Sequence, residues 1–273
     1  MSPFVRSLLP PLAGAALGCS TTLSTLQPAE TLKEGSLHAG VAANVNAPVG
    51  RVIDVLGLGQ VAARKVLDDG RYTPTQEEQQ RLLDAAVGLG LNPPGATPDV
   101  MLRYGFYRGF DAGLRYSGSA MHVDAKAQFL GGAEDEWAGS ISLGYARARY
   151  QGIGFDVTDV VQIADFSRHN FEVPLSFGRR LGPFGHLWMG PKYVGSYYRL
   201  DATMKNVGAV PATSGVIHYL GGFCGVALGY KHVFAMLELT VARMMARPVV
   251  YGREVDVGGI VVMPSLGVMA RLP

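Results

Sequence analysis

Long apolar runs are missing from most of this chain. Past its first twenty residues, no segment has 18 uninterrupted apolar positions, so no transmembrane helix is expected there. Cysteine is nearly absent: Cys19 and Cys224 are the only two in 273 residues, which excludes a fold stapled by several bridges. Charge is sparse, at 17% Asp, Glu, Lys and Arg against a usual ~25%. The net charge of +2 offers no strong field to a polyanion, so no nucleic-acid partner is expected. Six histidines (His38, His122, His169, His186, His218 and His232) are scattered without ligand spacing, which predicts no metal site. The glycine-rich stretch GLGLNPPG closes a helical pattern instead of opening one, so it is no phosphate loop, and no cofactor is implied. What is abundant is glycine, with 36 residues, roughly twice its usual ~7% share.

The N-terminus is patterned for export. One positive charge at Arg6 precedes an apolar stretch from Leu8 to Leu17, then Gly18 and Cys19. A short basic start, an apolar stretch of about ten residues and a small residue before the cut mark a secretory signal. The Gly18–Cys19 junction resembles a lipobox, which implies cleavage before Cys19 and its acylation. The pattern departs from the usual one in holding Ala16, not Leu, three places before the cysteine. A plain secretory signal cut nearby is the other reading. The expected layout is therefore a signal peptide over 1–18, a polar, turn-rich tether over 19–35 and one folded domain over 36–273.

Within that domain the dominant period is two, the signature of strands with one apolar face. Leu37, Ala39, Val41, Ala43 and Val45 alternate with His38, Gly40, Ala42, Asn44 and Asn46. Met121, Val123, Ala125, Ala127 and Phe129 alternate with His122, Asp124, Lys126 and Gln128. Similar faces recur around Leu102–Tyr116, Trp137–Tyr145, Phe171–Phe177, Gly185–Arg199, Val216–Tyr230, Val233–Met244 and Val257–Leu272, giving ten strands. Pro174, Pro191 and Pro264 fall inside these strands and cannot donate a ladder bond, so irregular pairing is expected there. Residues 50–94 break the pattern with helical spacing. A Thr73–Gln76 capping box, with Pro74 at the first helical position, opens the second of two amphipathic helices.

Connection lengths argue for a barrel that crosses a membrane. Short connections at Arg108–Gly109, Gly131–Asp135, Leu181–Phe184 and Lys231–His232 alternate with long ones over 48–97, 151–164, 200–215 and 246–256, and only Ser117–Ser119 is short on the second side. Outer-membrane barrels have this layout, with short periplasmic turns and long outer loops. Aromatics gather near both strand ends, as interfacial girdles do: Phe106, Phe110, Phe129, Trp137, Phe184, Trp188 and Tyr230 at one, Tyr116, Tyr145, Tyr150, Phe166, Tyr197 and Tyr198 at the other. The faces opposite the apolar ones carry Arg103, Asp111, Arg115, Asp124, Lys126, Glu172 and Glu238. In a narrow lumen these predict a polar network whose members pair with one another and fill the interior.

Taken together, this patterning over 36–47 and 98–272 resembles the small bacterial outer-membrane β-barrel proteins, here with a lipoprotein-type start. The resemblance implies an all-β fold: a closed antiparallel up-and-down transmembrane barrel of about ten strands, with a helical pair inserted between strands 1 and 2. It implies outer-membrane lipid and the barrel-assembly machinery as partners, and location in the cell outer membrane. The chain ends Met269-Ala-Arg-Leu-Pro273, where most such barrels end on an aromatic residue.

No catalytic motif stands out. Asp165, Ser167, His169 and Glu172 lie close in sequence at a strand start, and a base with an orienting group could be built from them. A solvated strand end is the simpler account, and the expected one. The expected function is a structural or small-solute role without catalysis. The alternatives are a barrel hydrolase using outer-rim residues, and a tethered soluble periplasmic lipid-binding barrel.

Overall fold

Period-two segments become strands, and the strands close on themselves. The computed structural model describes residues 22–50, 75–77, 81, 87–88, 91–118, 120–132, 135–151, 161–204, 208–209, 213–250 and 253–272. In order, the strands are β1 (Leu37–Asn46), β2 (Gly95–Tyr107), β3 (Phe110–Tyr116), β4 (Ala120–Leu130), β5 (Trp137–Gln151), β6 (Val161–Arg180), β7 (Gly185–Met204), β8 (Gly208–Ala209), β9 (Thr213–Tyr230), β10 (Val233–Met245), β11 (Val249–Val250), β12 (Arg253–Glu254) and β13 (Gly259–Leu272). Ten of them form the wall, because β8, β11 and β12 are two-residue ribbons. The order β6-β5-β4-β3-β2-β1-β13-β10-β9-β7, with β6 also paired to β7, closes the barrel without an edge. Every neighbouring pair is antiparallel.

Short turns gather at one end. Arg108–Gly109 and Lys231–His232 are tight connections, and Gly109 (φ 79°) and Lys231 (φ 54°) take the left-handed conformation such turns require. β1 begins and β13 ends at this same end, where Leu37 pairs with Leu272. The prolines sit within strands, as the sequence suggests. The β5–β6 register steps from Ile141↔Leu175 to Gly144↔Glu172, so pairing lapses beside Pro174 without changing register. The helical insertion expected over 50–94 and the signal over 1–18 lie largely or wholly outside the described residues, as does Cys19.

Side chains are sorted by face, and the sorting is inverted relative to a soluble barrel. β10 alternates strictly, with Leu237, Leu239 and Val241 exposed while Met236, Glu238 and Thr240 are buried. Outward positions elsewhere carry Val100, Leu102, Val123, Leu143, Phe171, Leu220 and Leu266. Inward positions carry Asn44, Asp99, Arg103, Asp111, Arg115, Lys126, Glu172 and Lys192. An apolar exterior and closed backbone bonding are what lipid demands. The molecule is an outer-membrane barrel. Leu143, 65% exposed on β5, stands in the lipid-facing belt. Leu143→Arg is expected to destabilise the barrel by about 2 kcal/mol when unfolded from vesicles. Arg at Ser142, its inward neighbour, would test a different surface.

Two aromatics expected in the girdles are not there. Trp188 and Tyr198, each 1% exposed, point into the lumen. Phe106, Phe110, Phe129, Trp137, Phe184 and Tyr230 are exposed at the short-turn end, and Tyr116 and Tyr197 at the other. Strand parity decides this: an aromatic one residue out of phase with its girdle neighbours must face inward.

Candidate functional site

The lumen contains a piece of the chain itself. The segment just before β1, read from sequence as part of a tether, runs through the barrel interior. At the short-turn mouth, Gly35 donates its N–H to Gly105 O, and Gly105 donates to Ser36 O. Further in, Ala29 and Leu26 join a buried cluster with Trp188, Phe223, Phe234, Met236 and Met269. Leu23 reaches the long-loop half and packs with Leu91, Val194, Tyr198, Tyr219, Val257 and Met263. Leu23, Leu26 and Ala29 are each no more than 2% exposed. Thr22–Glu34 is therefore a plug, stapled to an apolar stripe of β7, β9, β10 and β13.

A plug in a barrel has no sheet partner, so its backbone needs other acceptors and donors. The inward charges supply them. Arg115 donates to Ser24 O at 2.8 Å and to Thr25 O at 3.3 Å. Lys192 donates to Leu23 O at 2.8 Å. Lys126 donates to Pro28 O at 3.0 Å and Glu30 O at 2.7 Å. Asp111 accepts from Leu32 N–H at 2.9 Å, and Gln128 Oε1 accepts from both Thr31 N–H and Oγ1–H at 2.8 Å.

The tightest grip is at Glu238. This carboxylate is 1% exposed. It accepts from Thr25 N–H at 2.6 Å, Leu26 N–H at 2.8 Å and Trp188 Nε1–H at 2.9 Å, with Thr25 and Thr240 hydroxyls beside it. Leu26 takes a positive φ of 47°, which turns two successive N–H groups toward one anion. A non-glycine residue held in that region marks a backbone constrained by its surroundings.

Sequence reasoning pairs the seven lumen residues with one another, and the geometry does so only in part. Arg103 forks between Asp111 and Asp124. Lys126 also lies 3.5 Å from Asp111. Arg115, in contrast, lies 3.6 Å from Asp99, and Glu172 is held by Lys192 at 2.7 Å. Glu238 serves the plug. Asp99, His122, Arg168, Trp188 and Lys192 are inward partners that the pattern search passed over. Asp99 and Lys192 could have been found, since each sits in phase with its strand's inward set. Trp188 could not, because tryptophan at a strand end reads as girdle.

Two glycines explain how these side chains meet. On the inward face, Arg103, Gly113 and Asp124 form one row across β2, β3 and β4. Trp188, Gly225 and Glu238 form another across β7, β9 and β10. In each row the long side chain lies over the glycine to reach the carboxylate on the far strand. A Cβ at Gly113 would sit 2.5 Å from Arg103 Nη2, and one at Gly225 would collide with the Trp188 ring.

The rim cluster considered for hydrolysis is split by strand parity. Glu172 faces the lumen, while Ser167 and His169 face out of the barrel with intermediate exposure. His169 Nδ1 is 2.6 Å from Tyr145 Oη. The side chain of Asp165 lies outside the described residues. Among the described residues, no cluster of three or more His, Cys, Asp and Glu side chains could hold a metal.

No protein-family model and no curated protein sequence matches the chain. Several solved structures are similar in part. The attachment invasion locus protein Ail of Yersinia pestis is 12% identical, with 88% of this chain and 100% of that chain covered at a TM-score of 0.35. Neisserial surface protein A is 8% identical, with 86% and 95% covered and a TM-score of 0.34. The outer membrane protease OmpT from Escherichia coli is 9% identical, with 89% and 98% covered and a TM-score of 0.42. At these scores the similarity says nothing about activity.

Proposed function

We propose that this outer-membrane barrel has a structural or small-solute role without catalysis, and that its own N-terminal segment closes it. The observation behind this reading is the passage of Thr22–Glu34 through the lumen, with its backbone bound by Arg115, Lys126, Lys192 and Glu238. A structural plug and a releasable gate share that geometry. Outer-membrane lipid and the barrel-assembly machinery are the partners this reading requires.

Deleting residues 22–34 separates open from closed. The intact protein in planar bilayers is expected to hold a closed baseline. The deletion variant, confirmed folded by its shifted gel migration before boiling, is expected to show discrete ion steps. A folded deletion variant that stays closed would mean that the wall side chains alone fill the lumen.

A further inference from the structure

The plug does not fill the short-turn half of the lumen. A cavity of about 950 Å³ remains between it and the wall, lined by residues of β1, β2, β3, β4 and β13. The inward rows across β2, β1 and β13 run Met101, Gly40, Met269 and then Asp99, Ala42, Gly267, so two glycines and an alanine stand where other strands carry long side chains. The cavity lies at the short-turn mouth, since Arg108–Gly109 and Lys231–His232 border it. Pockets that hold small ligands span about 300–1,000 Å³.

The cavity has two chemistries. Its inner part is lined by Leu26, Met101, Met236 and Met269, and methionines adapt their shape to whatever they contact. Its lining is basic overall, with eight Arg and Lys side chains against three carboxylates, Glu30, Glu34 and Asp124, although Arg103, Arg115, Lys126 and Arg180 are already bound to carboxylates or to the plug. Two of those carboxylates are already engaged, Glu30 by Arg180 at 3.1 Å and Asp124 by Arg103. Arg271 has no carboxylate within ion-pair distance among the described residues, and Glu30 stands beyond its partner His186, 3.6 Å from His186 Nδ1. Its guanidinium lies 4.1 Å over the Phe234 ring and donates to His186 Nε2 at 2.6 Å, while its Nε–H finds no acceptor. His38, directly opposite Arg271 in the ladder, also lines the cavity and has no hydrogen-bond partner among the described residues.

We infer that this crevice binds a small anionic amphiphile from the periplasmic side, a monocarboxylate on a hydrocarbon body. The carboxylate sits against Arg271 and His38, and the hydrocarbon lies along Met101, Met236 and Met269. A guanidinium positioned by stacking is suited to a planar carboxylate, which it can meet with two parallel donors. A cation would face a lining with more basic than acidic groups, and a neutral alcohol would offer Arg271 one uncharged acceptor in place of two charged ones. The inference does not depend on plug movement, since the crevice exists with the plug in place.

The test uses the full chain in lipid nanodiscs with octanoate as probe, followed by equilibrium dialysis. Saturable binding of one octanoate per barrel is expected, with octanol at least tenfold weaker and octylammonium not competing. Arg271→Gln and His38→Gln should each weaken octanoate, Arg271→Gln by tenfold or more. Met101→Trp, which fills the inner crevice, should abolish binding. Gel migration before boiling reports folding of each variant, so one that fails to fold is replaced by the next. Competition by octylammonium equal to that by octanoate overturns the assignment. So does uptake that rises linearly with lipid and is unchanged in the folded variants, which is partition into the bilayer only.

Discussion

Glu238→Ala is expected to lower the unfolding free energy of the barrel by about 3 kcal/mol or more, measured by urea titration from lipid vesicles. Three buried donors, Thr25 N–H, Leu26 N–H and Trp188 Nε1–H, lose their acceptor, and each such loss costs about 1–3 kcal/mol. No basic side chain within 4 Å of Glu238 appears among the described residues, so its charge rests on these neutral donors. The substitution also removes what holds Leu26 at positive φ, so the plug loses its sharpest fixed point. Brief ion steps in planar bilayers should therefore accompany the loss of stability, together with a red shift of Trp188 fluorescence. Glu238→Gln preserves shape but presents an amide N–H₂ to donors, so it should recover only part of the loss. A Glu238→Ala barrel of wild-type stability with a closed baseline would show that the apolar staple of Leu23, Leu26 and Ala29 holds the plug unaided.

Arg103→Met is expected to cost about 3–5 kcal/mol, because it leaves buried carboxylates without their shared cation. Asp111 keeps Lys126 at 3.5 Å and the Leu32 N–H at 2.9 Å, so the larger part of the cost falls on Asp124. Asp124 would retain Gln27 Nε2, at 3.5 Å, and His122 Nδ1, at 3.8 Å. The double variant Arg103→Met, Asp124→Leu should recover most of the loss, since replacing a buried ion pair by apolar groups is often close to neutral. Gly113→Ala provides an independent check. Its Cβ would intrude between Arg103 and Asp124, so it should mimic Arg103→Met although it removes no charge. A double variant no more stable than Arg103→Met alone would show that Arg103 acts through packing and not through its ion pairs.

Strand existence and closure could be read before any coordinates. Period two fixes which residues share a face, and β10 shows it without exception from Val233 to Met245. That property is local and survives without knowledge of neighbours. The inward set Arg103, Asp111, Arg115, Asp124, Lys126, Glu172 and Glu238 was legible for the same reason. Trp188 and Tyr198 were not, since one residue of phase separates a girdle from a lumen and aromatic residues suit both.

Partners across the barrel belong to the tertiary structure. Trp188 meets Glu238 over Gly225 only because β7, β9 and β10 are adjacent in register, and no spacing along the chain encodes that adjacency. The abundance of glycine was visible, but its use as a gap in an inward row was not. The plug is the clearest case. Thr22–Glu34 is polar and turn-rich, a composition that suits a solvated tether as well as a strap bound through its backbone. What decides between them is a surrounding wall of side chains that satisfies each exposed N–H and C=O, and only the closed barrel brings that wall together.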